Sequence, residues 1–366
     1  MAATDAAEPI RAALVIDQLS FDRLGPIIGH LTVGLLDSIN EVLLVTPAAA
    51  AQRLSLGPVR VIEHPRLRWP MRERITRSIS SRLEEHPPTL FHAISSRSFS
   101  LARELALQAR RPLVGHILGS EDLHPRSQAA FDGMDKVIAA SKPLVELALE
   151  RHMIDADRVA LIRPGLLPES APSCFVRDDR IPTLLCMSAL ESATGVDRLI
   201  EAVKILVSEK QDLMLFLVAR GPAEGRLRKL VEREGLIKHV TFGQPMSDWI
   251  TTMRAADVFV VPGDVDRVDL RLLHALAAGM AAVTGAMPNS DFVIDRRTVM
   301  VCPDPTPEAL AKTIRQLLRD RAEARLLASR ALKHCKEHHS LSQMAQKTAD
   351  LYHEILASPI PAKASS

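Results

Sequence analysis

The sequence predicts an α/β protein of two domains, each with a parallel sheet. Short apolar, β-branched runs recur from Arg11 to Cys302, and segments with helical periodicity separate them. This alternation gives parallel strands joined by right-handed crossovers. A proline-bearing stretch, Leu167–Asp179, divides the pattern into two halves. At 366 residues the chain has the length of two ordinary domains. The expected boundaries are 1–170 for the first domain, 171–180 for a linker, 181–343 for the second domain, and 344–366 for a last helix and tail.

Composition narrows the class. Hydrophobic residues make up 47% of the chain and charged residues 25%, the balance of a folded soluble protein. A net charge of +2 argues against a dedicated nucleic-acid binder, which would show a strong basic excess. Cys174, Cys186, Cys302 and Cys335 have no close pairing and read as free thiols in a reducing compartment. The opening MAATDAAEPI lacks the basic and apolar regions of a signal peptide. No apolar run approaches the ~20 residues of a spanning helix. A cytoplasmic location is expected.

In the first half, Arg11–Asp17 reads as a buried strand, followed by the turn Gln18–His30 and a helix over Ile27–Ile39. Glu41–Thr46 and Val59–Glu63 are strands, with the Ala-rich, loosely helical Pro47–Ser55 between them. Arg66–Leu83 is a basic amphipathic helix, with Met71, Ile75, Ile79 and Leu83 on one side and Arg72, Arg74, Arg77 and Arg82 on others. Such a helix either docks its stripe on the sheet, the commoner arrangement, or makes peripheral contact with an anionic membrane at its inner face. Thr89–Ser95 and Pro112–Gly119 are strands carrying His92 and His116, with a helix over Leu101–Gln108 between them. A strand, a helix and a further strand fill Met134–Leu166.

In the second half, strands are expected at Thr183–Ser188, Leu213–Ala219, Val240–Phe242, Ala281–Thr284 and Thr298–Cys302. Helices are expected at Gly195–Glu209, Ala223–Glu234, Asp248–Ala256, Pro307–Arg319, Arg321–Glu337 and Ser342–Ala357. The stretch Asp257–Gly279 joins the strand Val258–Val261, the break Pro262-Gly263, a charged loop, and a helix with Leu270, Leu273 and Ala277 on its apolar side. This order sets a helix N-terminus at the carboxyl end of a strand, where open α/β sheets bind phosphorylated ligands.

Asp257–Gly279 resembles the signature of the retaining family 4 glycosyltransferases, the glycosyl transferases group 1. In them the loop reads roughly Pro-Ser-x-x-Glu-Gly-Phe-Gly, and a second Glu follows eight residues after the first. The resemblance covers nearly the whole chain and is strongest over residues 181–355. It implies the GT-B fold, two Rossmann-like domains facing a central cleft, with the last helix crossing back to the first domain. It also implies transfer of a sugar from a nucleotide-sugar to a glycan or lipid-linked acceptor, without a metal or other cofactor.

What the resemblance implies for the site can be placed residue by residue. The nucleotide-sugar falls on Ser188, Gly195, Arg220, Gly221, Asp266, Arg267, Asp269, Leu270, Arg271 and His274. His116 and Asp266 are the candidates nearest the chemistry. Several positions depart from the family. Ala189 and Thr194 stand where it has the phosphate-gripping Arg and Lys, and His274 stands at the Glu that accepts the ribose hydroxyls. Asp269, if it caps its helix, sets a carboxylate where phosphate belongs. Each lost charged hydrogen bond costs about 1.5–3 kcal/mol, so three cost at most roughly 5–9 kcal/mol. Arg220, Arg267, Arg271 and Arg254 offer compensating charge. The alternative to an active transferase is a silent homologue acting as a binding, scaffold or regulatory protein. Asp264-Val265-Asp266 and the group His334, Cys335, His338 and His339 have metal-like spacing, but they read as an acidic loop and a solvated face.

Overall fold

The computed structural model describes residues 9–51, 59–67, 70–177, 179–244 and 253–357. Two compact units emerge: Met1–Gly165 with Ser340–Ser366, and Leu166–His339.

The first unit is built on a parallel sheet of β1 (Arg11–Val15), β2 (Glu41–Pro47), β3 (Arg60–His64), β4 (Leu90–Ala93), β5 (Leu113–Ile117), β6 (Lys136–Ala139) and β7 (Val159–Leu161). Their order is β3-β2-β1-β4-β5-β6-β7. The sequence reverses direction between β1 and β4, where Leu14 pairs with Leu44 on one side and His92 on the other. Ala12–Val15 and Val42–Val45 are wholly buried, as expected for central strands covered on both faces.

Helices α1 (Gln18–Leu35), α2 (Ala48–Ala51), α3 (Arg72–Glu84), α4 (Ser96–Ala109), α5 (Gln128–Phe131) and α6 (Lys142–Glu150) connect these strands. The turn expected over Gln18–His30 is instead helical from its start. The Asp17 carboxylate accepts the amides of Leu19 and Ser20 and nucleates α1 there. Of the Ala-rich Pro47–Ser55 stretch, residues 52–58 lie outside the described residues.

The basic helix is shorter than expected, Arg72–Glu84, and Trp69 lies outside the described residues. Its stripe is docked: Ile75, Ile79 and Leu83 are buried, whereas Met71 is 51% exposed. Arg72 donates to Ser100 Oγ at 2.5 Å, and Arg82 donates to the Glu63 carbonyl at 2.6 Å. Two of the four arginines are thereby tied to the domain's own surface.

The second unit holds β8 (Thr183–Cys186), α7 (Val196–Ser208), β9 (Met214–Val218), α8 (Glu224–Arg233), β10 (Val240–Gly243), β11 (Val258–Val261) and α9 (Leu270–Ala277). It continues through β12 (Ala281–Thr284), β13 (Met300–Val301), α10 (Pro307–Arg319) and α11 (Arg321–His338). The parallel order is β10-β9-β8-β11-β12-β13, with its reversal between β8 and β11. Leu184, Leu199, Leu217, Val260 and Ile314 lie in its core. Of the expected helix Asp248–Ala256, residues 245–252 lie outside the described residues.

Residues 171–180 do not simply span a gap. Cys174 and Phe175 are buried in the second unit's core. The Phe175 amide donates to Asp257 Oδ1 at 2.7 Å, while Asp257 Oδ2 accepts the Thr183 amide at 2.9 Å. Proline content marked the stretch as a linker, but one apolar pair and one buried carboxylate bind it to the sheet.

The last helix, α12 (Leu341–Ala357), belongs to the first unit and packs on α1. Close approach requires Gly34, where a Cβ would lie 2.8 Å from Ala345 Cβ. No helix among the described residues is long and apolar enough to cross a membrane.

Candidate functional site

The reversal point of the second sheet gathers most of the expected residues. Two loops meet there, Met187–Gly195 after β8 and Pro262–Asp269 after β11. Their contact is backbone on backbone. A Cβ on Gly195 would lie 2.6 Å from the Pro262 carbonyl oxygen, and one on Gly263 would lie 2.9 Å from that of Thr194. Gly195 also has φ of 75°, which favours glycine. A third turn closes on the first loop at Gly221, where a Cβ would lie 2.2 Å from the Leu190 carbonyl oxygen. The Leu190 amide donates to the Arg220 carbonyl at 3.2 Å, and the Ala223 amide donates to that of Leu190 at 2.9 Å. Side-chain-free positions thus let three backbone segments converge at the carboxyl ends of β8, β9 and β11.

The signature loop is held by polar contacts from its neighbour. Asn289 Nδ2 donates to Asp266 Oδ1 at 2.5 Å and to the Asp266 carbonyl at 3.3 Å. Ser290 Oγ donates to the Arg267 carbonyl at 3.1 Å. Asp264 Oδ1 accepts the Ala286 amide at 2.8 Å. Asn289 and Ser290 are buried, and sequence reading named neither. Their only sequence signal is a polar pair just beyond an apolar strand.

Asp269 caps α9: its Oδ1 accepts the amides of Arg271 at 2.9 Å and Leu272 at 3.2 Å. The carboxylate therefore occupies donors that a bound anion would otherwise use. Arg271, the second residue of α9, donates through its guanidinium to the Met187 carbonyl at the end of β8. Thr194 turns its hydroxyl inward, donating to the carbonyls of Ala189 at 2.7 Å and Glu191 at 2.9 Å. Arg220 is exposed and donates to Gln244 Oε1 at 2.5 Å. Ser188 is half-buried at the end of β8, and Leu270 and His274 are buried in α9. Burial raises the Cys186 thiol above its ordinary pKa beneath this site. Among the described residues no group of three or more His, Cys, Asp or Glu is placed to hold a metal ion.

His116 lies in the first unit, with a different environment. Its ring stacks on that of His92, with centroids 5.6 Å apart and planes 12° from parallel. His92 Nδ1 shares a hydrogen bond of 2.7 Å with the Tyr352 hydroxyl of α12. Both His116 nitrogens and His92 Nε2 are buried and have no hydrogen-bond partner among the described residues. Burial lowers both imidazoles: His116 falls to about 4, and His92 falls well below the ordinary value, with His116 adding to the effect. Tyr352 is the chain's one tyrosine, and nothing around it in the sequence points to His92. Nearby, at the first sheet's reversal point, Ser95 Oγ donates to Asp17 Oδ2 at 2.8 Å.

Comparison with known proteins bears on this arrangement. Residues 175–334 match the family model described as glycosyl transferases group 1. A GDP-mannose-dependent alpha-(1-6)-phosphatidylinositol monomannoside mannosyltransferase of Mycobacterium tuberculosis is 31% identical over 153 residues, covering 39% of this chain and 40% of that protein. The match thus spans about two fifths of that relative's length. An alpha-D-kanosaminyltransferase of Streptomyces kanamyceticus is 26% identical over 278 residues, 75% of this chain and 68% of that protein. Among solved structures, a glycosyltransferase of Rickettsia africae superposes with a TM-score of 0.77 at 18% identity, over 96% of this chain and 100% of that one. HepE of Anabaena, solved in complex with UDP, gives 0.75 at 18% identity, over 94% and 100%.

Proposed function

With residues 175–334 a glycosyl transferases group 1 domain and the chain in the GT-B fold, we propose that this protein is a glycosyltransferase whose donor is a nucleotide-sugar. The donor binds at the reversal point of the second sheet, and the acceptor is a glycan or a lipid-linked sugar. The observation that carries this reading is the convergence of Gly195, Gly221 and Gly263 at the carboxyl ends of the strands. Open α/β sheets take nucleotides at such a point, and glycine lets the backbone come close. A lipid-linked acceptor would bring the protein to a membrane surface, and the exposed Met71 just before α3, with Arg74 and Arg77 on the helix's exposed side, suits that contact.

One observation favours a second reading, a silent relative kept for binding. Asp269 fills the α9 amides, and Ala189 and Thr194 supply no charge. Calorimetric titration with UDP, GDP and their sugars separates the two. The transferase reading expects saturable binding of one nucleotide tighter than about 1 mM, roughly −4 kcal/mol, together with release of sugar from its donor form. Absence of binding to every nucleotide tested leaves the silent relative.

A further inference from the structure

The second unit pairs most of its surface arginines with acids. Arg226 meets Asp197 at 3.3 Å, Arg228 meets Glu224 at 2.8 Å, and Arg315 meets Glu209 at 2.7 Å. Arg198 and Arg271 differ. Both are half-buried, and neither guanidinium forms an ion pair with a carboxylate among the described residues. Arg198 is the third residue of α7, and its Nη2 would lie 2.9 Å from a Cβ placed on Gly195. Arg271 rests on the Met187 carbonyl. The two guanidinium groups therefore stand at opposite ends of the loop Met187–Gly195, in the first turns of the two helices that open at the reversal point.

A partly desolvated guanidinium without a counter-ion favours an anion, because removal from water weakens its hydration and a neutral carbonyl such as that of Met187 does not balance its charge. The α9 amides do not share this role, since Asp269 already holds them. Arg220 is exposed and turned to Gln244, outside the loop. We propose that Arg198 and Arg271 together bind the diphosphate of a nucleoside diphosphate, making side-chain charge, not helix amides, the main anion-holding element of this site. The inference rests on the nucleotide-sugar reading above. It assigns the charge to two residues from different helices, and a planar guanidinium suits paired phosphate oxygens.

The test is calorimetry on the full chain at low salt, with UDP, GDP and inorganic pyrophosphate. Wild type is compared with Arg198→Ala, Arg271→Ala, Arg271→Lys and, as a control for lost charge, Arg330→Ala on α11. Each alanine variant at the site is expected to weaken the bound nucleotide and pyrophosphate by about ten- to a hundredfold, the loss of one charged hydrogen bond. Arg330→Ala is expected to bind as wild type. Arg271→Lys keeps the charge but loses the planar fork, and is expected to bind more weakly than wild type and more tightly than Arg271→Ala. Urea midpoints identify any variant whose loss is one of folding, and Arg271→Lys then decides the matter. If UDP or GDP binds wild type and both alanine variants equally, the assignment is overturned while the donor reading stands. Lysine binding as poorly as alanine with the fold intact also overturns it. Wild type that binds no nucleotide and no pyrophosphate overturns both.

Discussion

The two sheets reverse direction at equivalent points, β1 against β4 and β8 against β11, yet the two points are built differently. In the first unit α1 starts almost at once after β1, capped by Asp17, and Ser95 from the end of β4 closes on the same carboxylate. Of its nearby imidazoles His92 is buried and His116 half-buried, and desolvation favours the neutral form of both. In the second unit the loops after β8 and β11 are longer and touch through glycine, and Arg198 and Arg271, which pair with no carboxylate among the described residues, stand beside them. Asp269 caps α9 much as Asp17 caps α1, so capping alone does not separate the two. If the second point is the donor site proposed above, what sets it apart is loops long enough to leave room and two arginines, Arg198 and Arg271, that meet no carboxylate among the described residues. At the first point the helix begins at once and Ser95 satisfies the capping carboxylate.

Gly195→Ala forces a side chain into a left-handed backbone and against the Pro262 carbonyl. It is expected to destabilise the second unit by about 2–4 kcal/mol, read as faster amide exchange in β8 and β11 but not in β1 and β4.

The first unit instead carries the acid sensitivity. An imidazole with an ordinary unfolded pKa of 6.5 and a folded pKa lowered to about 4 binds more protons when unfolded. Its stability is therefore fully present above pH 6.5 and falls as pH drops towards 4. For His116 the loss is roughly 3 kcal/mol across that window. Urea denaturation followed by exchange in β4 and β5 checks this, and His116→Phe is expected to flatten the slope.

Tyr352→Phe leaves His92 Nδ1 buried without its partner and is expected to cost about 1–3 kcal/mol, measured as a lower urea midpoint for the first unit. The smallest effect compares the caps. Asp17→Ala loses two amide bonds and the Ser95 bond, at about 2 kcal/mol, whereas Asp269→Asn keeps a capping side chain and is expected to stay within about 0.5 kcal/mol of wild type. Removing that negative charge is expected to tighten nucleoside diphosphate binding severalfold, read by calorimetry.

The fold was legible because it rests on periodicity. The apolar runs that become β1, β2, β8 and β11 are continuous and short, and the helices after β8 and β11 have clear apolar stripes. Local chemistry accounts for the misses. One carboxylate, Asp17, moved the start of α1 upstream, and one buried pair, Cys174 and Phe175, drew a proline-bearing stretch into a core. The site was legible where backbone shape decides it, at Gly195, Gly221 and Asp269. It was not legible where side chains from other elements decide it. Arg198 reads as one more charge on an amphipathic helix, and only its position over Gly195 separates it from Arg226 or Arg228. Asn289 and Tyr352 were hidden for the same reason: their partners, Asp266 and His92, are distant in sequence.

The central claim, that the second reversal point is a ligand site and the first is structural, is tested most directly by hydrogen exchange of the full chain with and without saturating UDP or GDP. The account predicts slower exchange in residues 187–198 and 262–274 with the nucleotide that binds, and unchanged exchange in residues 14–20 and 90–98. Protection confined to the first-unit segments, or absent from the second under both nucleotides, would contradict it.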